Sequence, residues 1–144
     1  MKIGLDCNIL VQLALEAHPR HNATRAMVQA EWGLENELVF PALVVTEFLH
    51  VVTDPKRFAT TPFTMDQAIE WMESFMSSSG IRILEPTEAS LALTLSWMGQ
   101  HQLGRKRVLD THLAAIYKSQ GITRVITSNP KDFRIFEVFD LCVP

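Results

Sequence analysis

Short aliphatic runs alternate with longer stretches of helical spacing along the whole chain, and this alternation limits the possible folds more than any other feature. Residues 2–5 (KIGL) carry Ile3 and Leu5 in the every-second-residue pattern of a strand. Residues 10–17 and 22–34 read as helices, broken by HPRH at 18–21. Residues 38–40 form a short strand stopped by Pro41, which suits the first turn of a helix over 42–53. Thr64 followed three residues later by Gln67 is a capping box, and Ala68, Ile69, Met72, Phe75 and Met76 keep the helical period until Gly80 ends it. A strand at 81–84, helices over 87–103 and 108–120 closed by Gly104 and Gly121, and strands at 124–127 and 137–141 complete the series. Strands separated by helices need crossover connections, hence parallel pairing and helices on both faces. The expected fold is α/β: a three-layer α/β/α sandwich around a central, mostly parallel sheet of four to five short strands.

Neither a repeat nor a linker divides the 144 residues, so 1–144 reads as a single domain. No apolar run approaches the roughly 18 residues a membrane span needs, and no secretory segment opens the chain. The expectation is a cytoplasmic protein without membrane contact. Cys7 and Cys142 lie at opposite ends with no CxxC spacing, as reduced thiols would. A net charge of −3 argues against polyanion binding by the whole surface but leaves room for a local basic patch. GxxxxGK[ST] and GxGxxG are both absent, which removes the common nucleotide-cofactor classes. A D-x-D phosphotransferase is a poor match, since the second acid would be Asn8 and no Gly-Thr follows.

The acids then become informative. In open parallel sheets, ligands bind beyond the carboxyl ends of the strands. Asp6 stands where the first strand stops, Glu47 follows the second strand, Asp110 lies in the opening turns of a helix, and Asn129 and Asp132 follow the RVIT strand. Each has an ordinary reading: Asp6 as a helix N-cap, Glu47 as the solvent-facing position of an apolar helix, Asp110 as an acid at a helix N-terminus, Asp132 as a turn residue. Taken together they predict carboxylates from separate chain regions in one crevice. Such a cluster repels itself unless a cation neutralises it. Oxygen donors without a His/Cys set at zinc spacing point to Mg²⁺ or Mn²⁺, with a phosphodiester as the matching substrate.

The ordered motifs resemble the PIN-domain ribonucleases, especially the VapC toxins of toxin–antitoxin pairs. The residues concerned are Asp6-Cys7-Asn8-Ile9-Leu10, Thr46-Glu47-Phe48, Asp110-Thr111-His112-Leu113-Ala114-Ala115, Thr127-Ser128-Asn129 and Asp132-Phe133, together with EFLHVVTDPKRF and SNPKDFRIF. The resemblance runs through essentially the whole chain. It implies a PIN-like sandwich, an Mg²⁺- or Mn²⁺-dependent endoribonuclease acting on RNA, a homodimer, and inhibition by a cognate VapB-like antitoxin. It further implies Asp6 and Asp110 as the main metal ligands and Glu47 as a ligand or an orienter of water. Asp132 or Asn129 would complete the acidic pocket, and Asn8 and Thr127 would hold the carboxylates by hydrogen bonds. Many relatives carry an acid where this chain has Asn129, which would weaken a second metal position.

The basic run Arg105, Lys106 and Arg107 just before Asp110 is either a solvated loop or an RNA-phosphate clamp. Trp32, Trp71 and Trp97 read as core or interface residues rather than base platforms. The rival function is a non-catalytic RNA- or partner-binding module on the same fold, for which Asn129 is the support.

Overall fold

The first strand lies at the centre of the sheet. β1 (Lys2–Leu5) is followed by α1 (Cys7–Ala14), α2 (His21–Gly33), β2 (Glu37–Pro41), α3 (Ala42–Val52), α4 (Met65–Met76) and β3 (Ile81–Leu84). Then come α5 (Glu88–Gln100), a single 3-10 turn at Arg105–Arg107, α6 (Val108–Ser119), β4 (Arg124–Ile126), α7 (Lys131–Arg134) and β5 (Asp140–Cys142). This computed structural model describes residues 1–144. All five strands are parallel, in the order β3-β2-β1-β4-β5. Ile3 and Leu5 on β1 and Leu38, Val39 and Phe40 on β2 are wholly buried, as strands covered on both faces must be.

Two helical layers cover the sheet. α1 packs on α2 and α3, and α3 on α4, while α5 packs on α6 and α6 on α7. In the first layer Trp71 stacks between Phe48 and Phe75, and Trp32 meets the edge of Phe75. In the second, Trp97 stacks on Phe136 with ring centroids 4.2 Å apart. All three tryptophans are therefore packing residues. Both cysteines are free thiols.

Gly4 is required by a close approach. A Cβ there would meet the ring of Tyr117 at 2.9 Å. Without it, Tyr117 lies flat against the sheet, wholly buried, and its hydroxyl donates to the Leu5 carbonyl at 2.6 Å. The last peptide of β1 is thus pinned from α6, one residue before Asp6.

Local chemistry shifts several element ends away from the sequence expectation. α1 begins at Cys7 because Asp6 itself caps it, accepting from the Cys7 N–H at 2.7 Å. α5 stops at Gln100, and Gln102, not Gly104, takes the left-handed conformation with φ 50°. Leu103 N–H returns to Met98 O and Gln102 N–H to Gly99 O, the paired bonds of a Schellman ending. Gly104 instead leads into the 3-10 turn, with an ordinary φ of −85°. Gly121, at φ 73°, closes α6 as expected. The final strand begins at Asp140 rather than 137, because Phe136 is committed to Trp97 and Glu137 turns left-handed at φ 54°.

Candidate active site

Order β3-β2-β1-β4-β5 places the reversal of winding between β1 and β4, and a crevice opens there beyond the strand ends. Its walls include Asp6, Asn8, Gln12, His18, Glu47, Arg57, Phe58, Asp110, Asn129 and Asp132. The fold therefore brings together the four acids expected from sequence. Asp6 comes from the end of β1, Glu47 from the second turn of α3, Asp110 from the first turn of α6 and Asp132 from α7.

Asp6 is the most rigid of them. Only 8% exposed, it accepts from the Cys7 N–H at 2.7 Å, from Asn8 Nδ2 at 2.8 Å and from Thr127 Oγ1 at 2.6 Å. The Asn8 oxygen in turn accepts from the Ser128 N–H at 3.0 Å, and Thr127 Oγ1 from the Asn129 N–H at 3.0 Å. Asn8 and Thr127 thus tie the carboxylate to the β4–α7 loop. Asp6 therefore caps α1 with one oxygen while side chains fix the other in the crevice.

Gln12, which carries no sequence flag, extends this frame. Its amide donates to Ser128 Oγ at 2.8 Å, and its oxygen accepts from Thr24 Oγ1 at 2.6 Å. It lies one helical turn beyond Asn8, so helical spacing was the available signal. Asp132 is held differently. Arg107 binds it through one carboxylate oxygen and, at 2.7 Å, its backbone carbonyl, while Asn129 Nδ2 donates to the other carboxylate oxygen.

The family model described as PIN domain matches residues 3–137. The chain belongs to the PIN-domain family. No curated protein matches its sequence. Among solved structures, VapBC2 from Rickettsia felis, bound to a promoter DNA fragment, aligns with TM-score 0.71 at 17% identity, covering 99% of this chain and 98% of that one. VapBC-1 from nontypeable Haemophilus influenzae gives 0.64 at 18% identity over 99% and 98%. VapC20 from Mycobacterium tuberculosis, a Sarcin-Ricin loop cleaving toxin, gives 0.63 at 15% over 85% and 86%. These likenesses describe the fold, which is that of VapC structures.

The electrostatics of the PIN crevice follow from burial and like charge. Burial, and then the neighbouring Asp110, push Asp6 up to about 6 against the pull of its hydrogen bonds. Glu47 rises to about 7, first by desolvation and then by Asp6 and Asp110. Asp110 is also raised, by desolvation and by Asp132, with Arg107 opposing. The acids share one crevice yet are not drawn into a cage: no three Asp, Glu, His or Cys side chains stand grouped for a metal. Like charges spread in this way.

The donor set nonetheless suits a hard divalent ion. It offers carboxylate and amide oxygens, and Mg²⁺ takes only one or two carboxylates while keeping waters. The Cys7 thiol is held protonated by burial and by the acids around it, so it offers no thiolate.

The structure divides the basic run. Arg105 and Lys106 are exposed and lie outside the crevice lining. Arg107 turns inward and is committed to Asp132. Arg107 is thus committed within the fold, while Arg105 and Lys106 stay exposed to solvent. His112 is bonded to Thr94 on α5 at 2.9 Å and His50 is exposed; neither lines the crevice.

A pH dependence follows. Because Asp6 and Glu47 bind protons more tightly folded than unfolded, their effect on stability is most favourable below about pH 4. It weakens as pH rises through about 6 and 7. For buried Asp6 the loss is about 3 kcal/mol at roughly 1.4 kcal/mol per pH unit. Melting of EDTA-treated protein at pH 5 and pH 8, wild type against Asp6→Asn, should show wild type losing its relative advantage at pH 8. An equal difference at both pH values would exclude a raised Asp6.

Proposed function

We propose that this PIN-domain protein is an Mg²⁺- or Mn²⁺-dependent endoribonuclease serving as the toxin of a VapBC-type pair. The observation that carries the reading is the convergence of Asp6, Glu47 and Asp110, from three separate elements, on one crevice whose fourth acid alone is paired with a cation. Asp6, Asp110 and Glu47 would hold the metal. When bound, it supplies positive charge to the phosphodiester and to its attacking water. The chain's own part is positional. Asn8 and Thr127 fix Asp6, so its free lone pairs have one direction. Glu47, carried by α3, would serve as a ligand or orient the attacking water.

Cleavage of single-stranded RNA should require Mg²⁺ or Mn²⁺ and stop with EDTA, leaving 5′-phosphate and 3′-hydroxyl ends. Full activity after chelation, or cyclic phosphate ends, would sink the reading. The rival, a non-catalytic binding module, draws on Asn129 and on the neutralised Asp132. It predicts RNA or partner binding without any metal-dependent product.

The solved structures of similar fold include a toxin–antitoxin complex from Klebsiella pneumoniae and VapBC complexes, which supports an antitoxin as partner. An arginine of that partner, placed among the acids, would neutralise them in place of the metal. A homodimer is also proposed. α5 and the start of α6 expose Leu91, Leu95, Val108 and Leu109, apolar surface that pairing of two copies would cover. Sedimentation at micromolar concentration should show a dimer, and Leu95→Glu a monomer. A wild-type monomer without antitoxin would refute it. No helix is long and apolar enough to cross a membrane.

A further inference from the structure

The crevice has a second half that the acids leave unused. Beyond Glu47 its wall is made by Val51, Arg57 and Phe58 from α3 and the turn that follows it, and by His18 and Val11 from α1 and the turn after it. This is the TDPKRF segment, so far without a role. The turn is built rather than loose. Asp54 N–H returns to Val51 O, Phe58 N–H to Asp54 O, and the Asp54 carboxylate accepts from the Lys56 N–H at 2.8 Å.

Arg57 is the only Arg or Lys lining the crevice. Its only ion pair is with Asp54, at a loose 3.8 Å, its charge also reaches Glu47 across the crevice, and its side chain is 63% exposed. Arg107, by contrast, is engaged with Asp132. Phe58 presents a half-buried ring in the same wall, with the His18 ring edge-on at 6.4 Å. His18 Nδ1 accepts from the Arg20 N–H at 3.1 Å, so a neutral His18 carries its proton on Nε2. A cation, an aromatic ring and one neutral N–H donor, over the apolar floor of Val11 and Val51, match the parts of a single nucleotide.

We propose that Arg57, Phe58 and His18 form a subsite for one unpaired nucleotide of single-stranded RNA, flanking the phosphodiester that lies over the acids. Arg57 contacts its phosphate, Phe58 stacks on its base, and His18 Nε2–H donates to an acceptor on the base edge. Stacking accepts any base, and the single donor adds one hydrogen bond to the acceptor each base edge presents. This rests on the nuclease reading for the position of the neighbouring phosphodiester, but not for binding itself.

The test is binding of fluorescein-labelled eight-nucleotide U, C and A homopolymers to the full chain in EDTA, followed by single-turnover cleavage in Mg²⁺. Arg57→Ala should weaken binding about 10-fold and lower the log–log salt slope by about 0.7, one phosphate contact on a single strand. Phe58→Ala should also lose about 10-fold, within the range of one lost stack, and Phe58→Trp should restore it. His18→Ala should weaken binding of all three homopolymers, by less than Arg57→Ala or Phe58→Ala. The cleavage rate at saturating RNA should change less than 3-fold in Phe58→Ala, so its defect is in KM. Wild-type affinity in folded Arg57→Ala and Phe58→Ala, or no RNA binding by wild type, overturns the subsite. Binding that depends on both residues, with no metal-dependent cleavage, keeps the subsite and removes the nuclease reading.

Discussion

Asp110→Asn is expected to abolish RNA cleavage while raising the melting temperature of the metal-free protein. The side chain accepts no hydrogen bond from the protein, so an amide forfeits no structural contact there. Its carboxylate faces the charges of Asp6, Glu47 and Asp132, and removing it relieves all of them at once. The loss of activity should be roughly 10³-fold or more, the equivalent of several kcal/mol of charge stabilisation in the transition state. Asp6→Asn should be as inactive but differ in stability. Its carboxylate accepts from Cys7, Asn8 and Thr127, and an amide nitrogen would face donors. Relief of charge and loss of those bonds therefore oppose each other, and the variant should stand near wild type at pH 8 and below it at pH 5. Glu47→Gln should resemble Asp110→Asn more than Asp6→Asn, since it too gives up no bond. Single-turnover cleavage against Mg²⁺ concentration, with thermal melting in EDTA, measures both effects. Wild-type cleavage by folded Asp110→Asn would falsify the proposed mechanism.

The fold was legible in the sequence because nearly every element carries its own signal. Ile3, Leu5, Leu38 and Phe40 announce fully buried strands, and Thr64 with Gln67 forms the capping box that the spacing predicts. The element ends were less legible. A left-handed Gln102 replaces Gly104 at the end of α5, because the Schellman bonds tolerate a non-glycine residue at moderate cost. Phe136 precedes and Phe139 lies within the 137–141 run that reads as a strand. In the structure they pack instead on Trp97 and Phe133. The convergence of the acids followed from one rule about strand ends. What sequence did not convey was pairing across distance. Nothing local says that Arg107 meets Asp132 or that Gln12 reaches Ser128, 116 residues away. The 3-10 turn that aims Arg107 inward is too short to leave a periodic trace, and α7 has only 4 residues.

That unseen pair makes the second large prediction. Asp132 and Arg107 side chains are only 14% and 24% exposed, and the contact joins the turn before α6 to α7. Removing one partner strands the other's charge in a poorly solvated place, which typically costs about 3–5 kcal/mol. Arg107→Ala should therefore lower the melting temperature by roughly 6–20 °C, at about 2–4 °C per kcal/mol for a domain of this size. It also leaves the Asp132 charge facing Asp110 unopposed. Asp132→Asn should cost less, because Arg107 keeps its bond to the Asp132 backbone carbonyl. The double variant should recover much of the Arg107→Ala loss, since neither unpaired charge then remains, and the double-mutant cycle isolates that coupling. Asn129→Asp tests the same contact from the other side. The amide now donates to Asp132, so an acid there would set a third carboxylate against Asp110 and Asp132 and destabilise the metal-free protein. Mg²⁺ should restore stability to Asn129→Asp and not to Arg107→Ala. Additive losses in the cycle would mean that Arg107 and Asp132 act independently, and that the fourth acid is free to serve as a metal ligand after all.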